Sequence, residues 1–166
     1  LANTIGNLLN RTSSMSRKWF ENGLPPVDEK VRADHALRSK AELTIQQVRE
    51  SMPQLKFQKA AEAVLQLAID TNGYLNEQAP WSQMKQPGQE VQVGEDLYAV
   101  LECSRIVGLL LQPIVPELSG RILSQLGLGT IPASWNDDLT WGRLVPGTPL
   151  PKPEPVMQRL ELETPL

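Results

Sequence analysis

Apolar side chains recur along most of this chain at the three- and four-residue spacing of an α-helix. In the first segment they stand at Leu1, Ile5, Leu8, Leu9, Met15 and Trp19, and the segment ends at the Asn-Gly-Leu-Pro-Pro run of residues 22–26. The opposite side carries a polar row formed by Asn7, Arg11, Ser14 and Lys18. Leu1 already lies within the helical pattern with no capping residue before it, so we expect the sequence to be a fragment of a longer chain.

The same criterion predicts four more helices, which makes the predicted fold class all-α. They span about residues 28–51, 56–77, 95–112 and 116–127, and the pattern of the second allows a break near Asp34. The third should be central, because its broad apolar face runs from Phe57 to Leu75. The fourth should be buried, because it is apolar on most sides. Gly94 is expected to lead into it, with residues 82–93 as a connection.

The chain becomes rich in glycine and proline after Gly127. We therefore expect a single domain, with a helical bundle of about five helices over residues 1–127 and an irregular C-terminal tail over residues 128–166 that packs on it. Trp135 and Trp141 would anchor this tail, and the alternating residues 156–163 would form a short helix or a strand.

The third helix must be interrupted at Pro80, and the bulky Trp81 follows directly. Proline fixes its own φ and restricts the residue before it, so the backbone sets the direction in which the indole projects. A preset aromatic face is suited to stacking an unpaired base. A wedge between packed helices is the other interpretation, and on general grounds the commoner one.

Charge divides the chain into two unlike halves. Residues 1–60 carry ten Lys or Arg against six Asp or Glu, a balance of +4, whereas residues 61–166 carry six against thirteen, a balance of −7. The net charge of −3 disfavours a general polyanion binder, while the basic half favours contact with one piece of nucleic acid on one side. No apolar run is long enough to span a bilayer. We expect neither a membrane nor DNA as a partner.

One histidine and one cysteine exclude most catalytic and metal-binding constellations. The sequence contains no His-Glu-x-x-His zinc motif, no glycine-rich phosphate loop and no Gly-x-Ser-x-Gly. His35 is expected to be a turn or capping residue, and Cys103 a small buried hydrophobe in a helical apolar run. We expect this fragment to catalyse nothing and to hold no zinc or other metal.

Two stretches carry a resemblance to a known family. They are Gly6-Asn7-Leu8-Leu9-Asn10-Arg11-Thr12 on the first helix and Tyr74-Leu75-Asn76-Glu77-Gln78-Ala79-Pro80-Trp81 after the third, with weaker matches at residues 111–116 and 152–155. On these stretches the chain resembles, over nearly its whole length, the anticodon-binding domain of methionyl-tRNA synthetases, which are class I synthetases. It is most similar to cyanobacterial or plant organellar members, which implies a cytoplasmic location if bacterial and a plastid or mitochondrial one if organellar.

The resemblance implies a domain that reads the CAU anticodon of methionine tRNA with Asn7, Arg11 and Trp81, the last held by Pro80. The chemistry of these residues agrees, because Asn7 and Arg11 share one helix face and can address the same base while Trp81 stacks on it. The candidate phosphate contacts are Lys18, Lys56, Lys59 and Lys85.

The resemblance also implies a parent enzyme that joins methionine to its tRNA with ATP and magnesium, in a catalytic domain absent from this fragment. The fragment itself should need no cofactor, and its partners should be the anticodon loop and the parent's catalytic domain. Two alternatives stay open. One is a helical module that packs against a partner protein with Trp81 as the anchor, and the other is the anticodon domain of a different class I synthetase.

Overall fold

The structure, a computed structural model, describes residues 2–129 and 135–157. This part of the chain contains the α-helices α1 (Asn7–Trp19), α2 (Glu29–Ala33), α3 (Ala36–Ser51), α4 (Phe57–Gln78), α5 (Pro80–Gln83), α6 (Glu90–Leu111), α7 (Pro116–Gln125) and α8 (Trp135–Asp138). A π-helical turn, Ala2–Gly6, precedes α1, and a 3-10 turn, Met52–Gln54, precedes α4. Five of the α-helices have ten or more residues, and the only β-pairing in the described ranges is an isolated bridge between Gly23 and Pro149. The predicted all-α class is confirmed.

Helix α6 is the centre of the bundle and packs against α1, α3, α4 and α7. All its residues from 96 to 111 are buried, as its nearly continuous apolar sequence predicts. Helix α4 packs against α3 and α6, so its predicted central position is confirmed except at its first turn. Phe57, counted in its apolar face, is 51% exposed, because it lies in the first turn at the end of the bundle.

The start of α6 differs from the prediction. The helix begins at Glu90 rather than Glu95, and α5 occupies residues 80–83, so half of the expected connection over 82–93 is helical. Gly94 therefore lies inside α6 and does not mark its boundary. A Cβ there would approach Phe20 Cζ and Pro25 Cβ to 3.3 Å each. The glycine is needed for close packing at this point, which local sequence does not reveal.

The predicted break in the second helical segment lies at His35, between α2 and α3. His35 is the N-cap of α3, and its Nδ1 accepts a hydrogen bond from the Leu37 N–H at 3.1 Å. Its predicted capping role is confirmed. Cys103 is fully buried, as predicted, and burial raises the pKa of its thiol to about 12.

Two buried charges on α6 hold part of the C-terminal segment. Glu102 and Arg105 are 0% and 3% exposed, and Arg105 Nη2 donates to Glu102 Oε1 at 2.6 Å. The same carboxylate accepts the backbone N–H groups of residues 142–144 at 2.9–3.1 Å. Arg105 also donates to the carbonyls of Asp138 and Thr140 at 2.6 and 2.7 Å. The apolar pattern of α6 gave no indication of this ion pair.

The same segment places Trp141 against the bundle, where its ring stacks on His35 with 6.3 Å between the ring centroids. The side chain of Trp135, the other predicted anchor, lies outside the described residues, as does most of the predicted helix or strand over 156–163. The boundary between bundle and tail at residue 127 stays a prediction.

Candidate nucleic-acid interface

The end of α4 forms a sharp turn that presents Trp81. Ala79 adopts a left-handed conformation (φ 45°, ψ 59°), and Pro80 then occupies the first turn of α5, where its missing N–H costs nothing. The Gln83 Nε2 donates to the carbonyl of Gln78 at 2.7 Å and so satisfies a carbonyl at the end of α4. Pro80 is buried, and Trp81 is half-buried against the hydrophobic core. The predicted interruption is confirmed, and it fixes where the indole lies.

Helix α1 brings Arg11 to this turn. The Arg11 Cζ lies 5.1 Å from the centroid of the Trp81 ring, within the range of a cation–π contact. Its Nη1 and Nη2 lie 3.5 and 3.4 Å from Asn76 Oδ1 in the last turns of α4. Residues separated by 65 and 70 positions in sequence therefore meet at one exposed spot.

Asn7 extends this spot along α1. Asn7 and Arg11 are both exposed and both belong to α1, so they stand one turn apart, about 6 Å along the helix axis. The polar row predicted from sequence is present, since Ser14 and Lys18 are also exposed. Amide, guanidinium and indole groups are thus available side by side to one ligand.

A partly buried polar cluster ties α4 to α3 and α6. The Tyr74 hydroxyl donates to Asp96 Oδ1 at 2.6 Å and lies 3.1 Å from His35 Nε2. Burial raises the pKa of Tyr74 and lowers the pKa of His35. Both side chains are therefore neutral at pH 7, and they brace the part of α4 that carries Asn76.

A family model described as the anticodon binding domain of methionyl tRNA ligase matches residues 24–164. The chain belongs to this family. A methionine–tRNA ligase of Thermosynechococcus vestitus is 39% identical over 170 residues, which cover 98% of this chain and 32% of that protein. The chloroplastic/mitochondrial methionine–tRNA ligase of Arabidopsis thaliana is 38% identical over 169 residues, which cover 98% of this chain and 27% of that protein.

Solved structures agree with this assignment. The free methionyl-tRNA synthetase of Mycobacterium tuberculosis superposes with a TM-score of 0.82 at 34% identity, over 98% of this chain and 33% of that one. The methionyl-adenylate-bound form of that enzyme superposes with a TM-score of 0.79 at 34% identity, and the match covers 94% of this chain and 31% of that one. This anticodon-binding domain thus spans about a third or less of the relatives it matches. The resemblance and the helical fold are confirmed.

The lysines proposed as phosphate contacts divide into two groups in this anticodon-binding domain. Lys18 lies on α1, about 10 Å along the axis from Arg11, and Lys85 follows Trp81 by four residues. Lys56 and Lys59 lie at the other end of α4, and Lys59 is about 26 Å along the axis from Asn76. All four are exposed, and Lys18 and Lys85 are the two that lie on or directly after the helices that carry Arg11 and Trp81.

Sequence reasoning missed Asn76 and Asp96. Asn76 stands in the stretch that carried the resemblance, but nothing local shows that its amide meets Arg11 of another helix. The sequence did indicate a role for Asp96, because a carboxylate in a helix that is apolar on most sides must find a partner when it is buried.

Within the described ranges, no three His, Cys, Asp or Glu residues are grouped as a metal site would need, and no helix has the length and apolar character to cross a bilayer.

Proposed function

We propose that this domain recognises the CAU anticodon of methionine tRNA, with Trp81 stacking on one base and Arg11 and Asn7 hydrogen-bonding to its edge. The observation that carries the proposal is the 5.1 Å contact of Arg11 with the Trp81 ring, which joins a stacking face to a fork of donors at one exposed place. Half-burial of the indole against the core leaves part of the ring for a ligand.

The chemistry of the first anticodon base fits these groups. Cytosine offers an N4 donor and O2 and N3 acceptors, so the guanidinium of Arg11 suits the acceptors while the Asn7 amide can donate or accept. Pro80 holds Trp81 in place at the start of α5, which reduces the ordering that binding would otherwise require. Lys18 and Lys85 are the proposed contacts with the phosphates of the loop.

The parent protein is proposed to be a methionine–tRNA ligase that uses ATP and magnesium in a catalytic domain outside this chain. The adenylate bound by the Mycobacterium tuberculosis relative supports the use of ATP, and the catalytic domain would be this domain's covalently linked partner. The family assignment argues against the anticodon domain of a different synthetase. The compartment follows from the organism and is proposed as cytoplasmic, plastid or mitochondrial.

The test is a fluorescence titration of the 166-residue chain with a CAU anticodon stem-loop at low salt. Trp81→Ala should abolish the quenching and weaken binding by about 5- to 150-fold, the equivalent of one stacked base. A loop whose first anticodon base is not cytosine should bind the unaltered domain correspondingly less tightly. Trp19→Phe is the matched control, because Trp19 lies at the far end of α1 and should leave the quenching intact.

Quenching that ignores the base and disappears with salt would show only nonspecific phosphate attraction and would contradict the proposal. Absence of quenching would also contradict it. In either case the alternative of a helical module that docks on a partner protein through Trp81 would be tested next.

A further inference from the structure

The face of Trp81 that a base would need is occupied in the free domain. The inner side of the indole packs against the hydrophobic core, whereas Arg11 is an exposed residue whose guanidinium lies over the ring. The guanidinium therefore lies on the solvent side of the indole. A base that stacks on Trp81 has to take the same position.

Asn76 holds the guanidinium there by weak contacts. Both N···O distances, 3.4 and 3.5 Å, are longer than the usual 2.7–3.2 Å range, and both partners are exposed to water. Asn76 itself is fixed on α4, one turn before the left-handed Ala79. Its amide oxygen thus offers Arg11 a partner of low strength at a fixed position.

We propose that Arg11 is a displaceable cover on Trp81 and that Asn76 is the positioning residue that keeps the cover closed in the absence of RNA. An incoming base replaces the guanidinium over the ring, and the released guanidinium turns to the edge of that base. This proposal rests on the proposed function, because it describes how the same site passes from free to bound.

The magnitudes allow the exchange to run in this direction. An exposed cation–π contact is equivalent to about a two- to fivefold change in an equilibrium constant. Stacking of a base on an aromatic ring is equivalent to about 5- to 150-fold. The base therefore displaces the cover, and the guanidinium recovers hydrogen bonds at the base edge.

Asn76→Ala should therefore bind the anticodon stem-loop about twofold more tightly than the unaltered domain, because only the weak Asn76 hydrogen bonds, and not the contact with the ring, are removed from the cost of opening the cover. The ratio of affinities between the CAU loop and a loop with another first base should stay the same. Arg11→Ala should lose that ratio, since it removes the edge contact as well as the cover. Asn72→Ala, one turn earlier on α4, is the matched control and should change neither quantity.

Nuclear magnetic resonance of the Arg11 side chain provides a direct readout. In the free domain its Hε and Hδ resonances should be shifted upfield by the indole ring current, and Trp81→Ala should remove this shift. Addition of the CAU stem-loop should move them back towards ordinary values. Arg11 resonances that stay upfield in the complex, or weaker binding by Asn76→Ala, would contradict the proposal that Arg11 is a displaceable cover. Neither result would contradict anticodon recognition.

Failure of every variant to bind the loop would instead count against the proposed function. The spectrum of the free domain then tests by itself whether Arg11 covers Trp81. Arg11 resonances without a ring-current shift would contradict the proposed cover.

Discussion

At the scale of single residues, Glu102 shows how this fold keeps a buried charge. Its carboxylate is fully buried, yet it accepts hydrogen bonds from Arg105 and from three consecutive backbone N–H groups, at residues 142–144. Arg105 and the three backbone N–H groups together supply donors to both oxygens of the carboxylate. The cost of its desolvation is offset only while the whole set of contacts is intact.

We expect Glu102→Gln to lower the free energy of unfolding by about 3 kcal/mol, since it leaves Arg105 uncompensated and turns an amide NH₂ towards backbone donors. Urea denaturation measures the change. Glu117→Gln is the matched control, because the Glu117 side chain is 91% exposed and lies 3.9 Å from Arg121, so its replacement should have no measurable effect. Equal unfolding curves for Glu102→Gln and the unaltered domain would refute the anchoring role of Glu102.

At the scale of helices, His35 joins three elements of the bundle. It caps α3 through Nδ1, which accepts the Leu37 N–H and so carries no proton, and its Nε2 faces the Tyr74 hydroxyl of α4. Tyr74 in turn donates to Asp96 of α6. The neutral imidazole fits this arrangement, whereas a second proton at Nδ1 would remove the cap.

The stability of the domain should therefore depend on pH through His35. Burial lowers the pKa of His35 in the folded state, although Asp96 and Asp34 act in the opposite direction. The stabilisation is complete above the unfolded-state pKa of about 6.5 and is lost as pH falls towards the folded-state pKa. Urea denaturation should give a lower free energy of unfolding at pH 5.5 than at pH 7.5, by at most about 1.4 kcal/mol.

His35→Asn is the control for this prediction, because asparagine keeps a capping acceptor but does not titrate. The variant should lose the pH dependence that His35 contributes between these two values. If both proteins change equally with pH, other groups are responsible and the role of His35 is refuted.

At the scale of the whole molecule, the four lysines proposed as phosphate contacts do not lie together. Lys18 and Lys85 lie on or directly after the helices that carry Arg11 and Trp81. Lys59 is about 26 Å from Asn76 along α4, more than two Debye lengths at 0.1 M salt. We therefore expect Lys18 and Lys85, rather than Lys56 and Lys59, to meet the phosphates of an anticodon loop bound at Trp81.

We expect the double substitution Lys18→Ala with Lys85→Ala to weaken stem-loop binding for all loop sequences alike. The slope of log affinity against log salt should become shallower by about 0.7 for each lost phosphate contact. Titrations at several salt concentrations measure it.

The double substitution Lys56→Ala with Lys59→Ala removes the same charge from the other end of α4 and should leave the slope unchanged. The assignment of phosphate contacts to the side of Trp81 would be wrong if the two double variants behaved alike.

What the sequence determined by itself was local in origin. Helical periodicity, the interruption at Pro80 and the cap at His35 depend on residues within a few positions of one another, so the pattern predicts them. The tertiary structure alone decided the meeting of Arg11, Asn76 and Trp81, the anchoring by Glu102 and the place of Gly94 inside α6. These features depend on how closely and at which register helices pack, which is set by contacts between residues far apart in the chain.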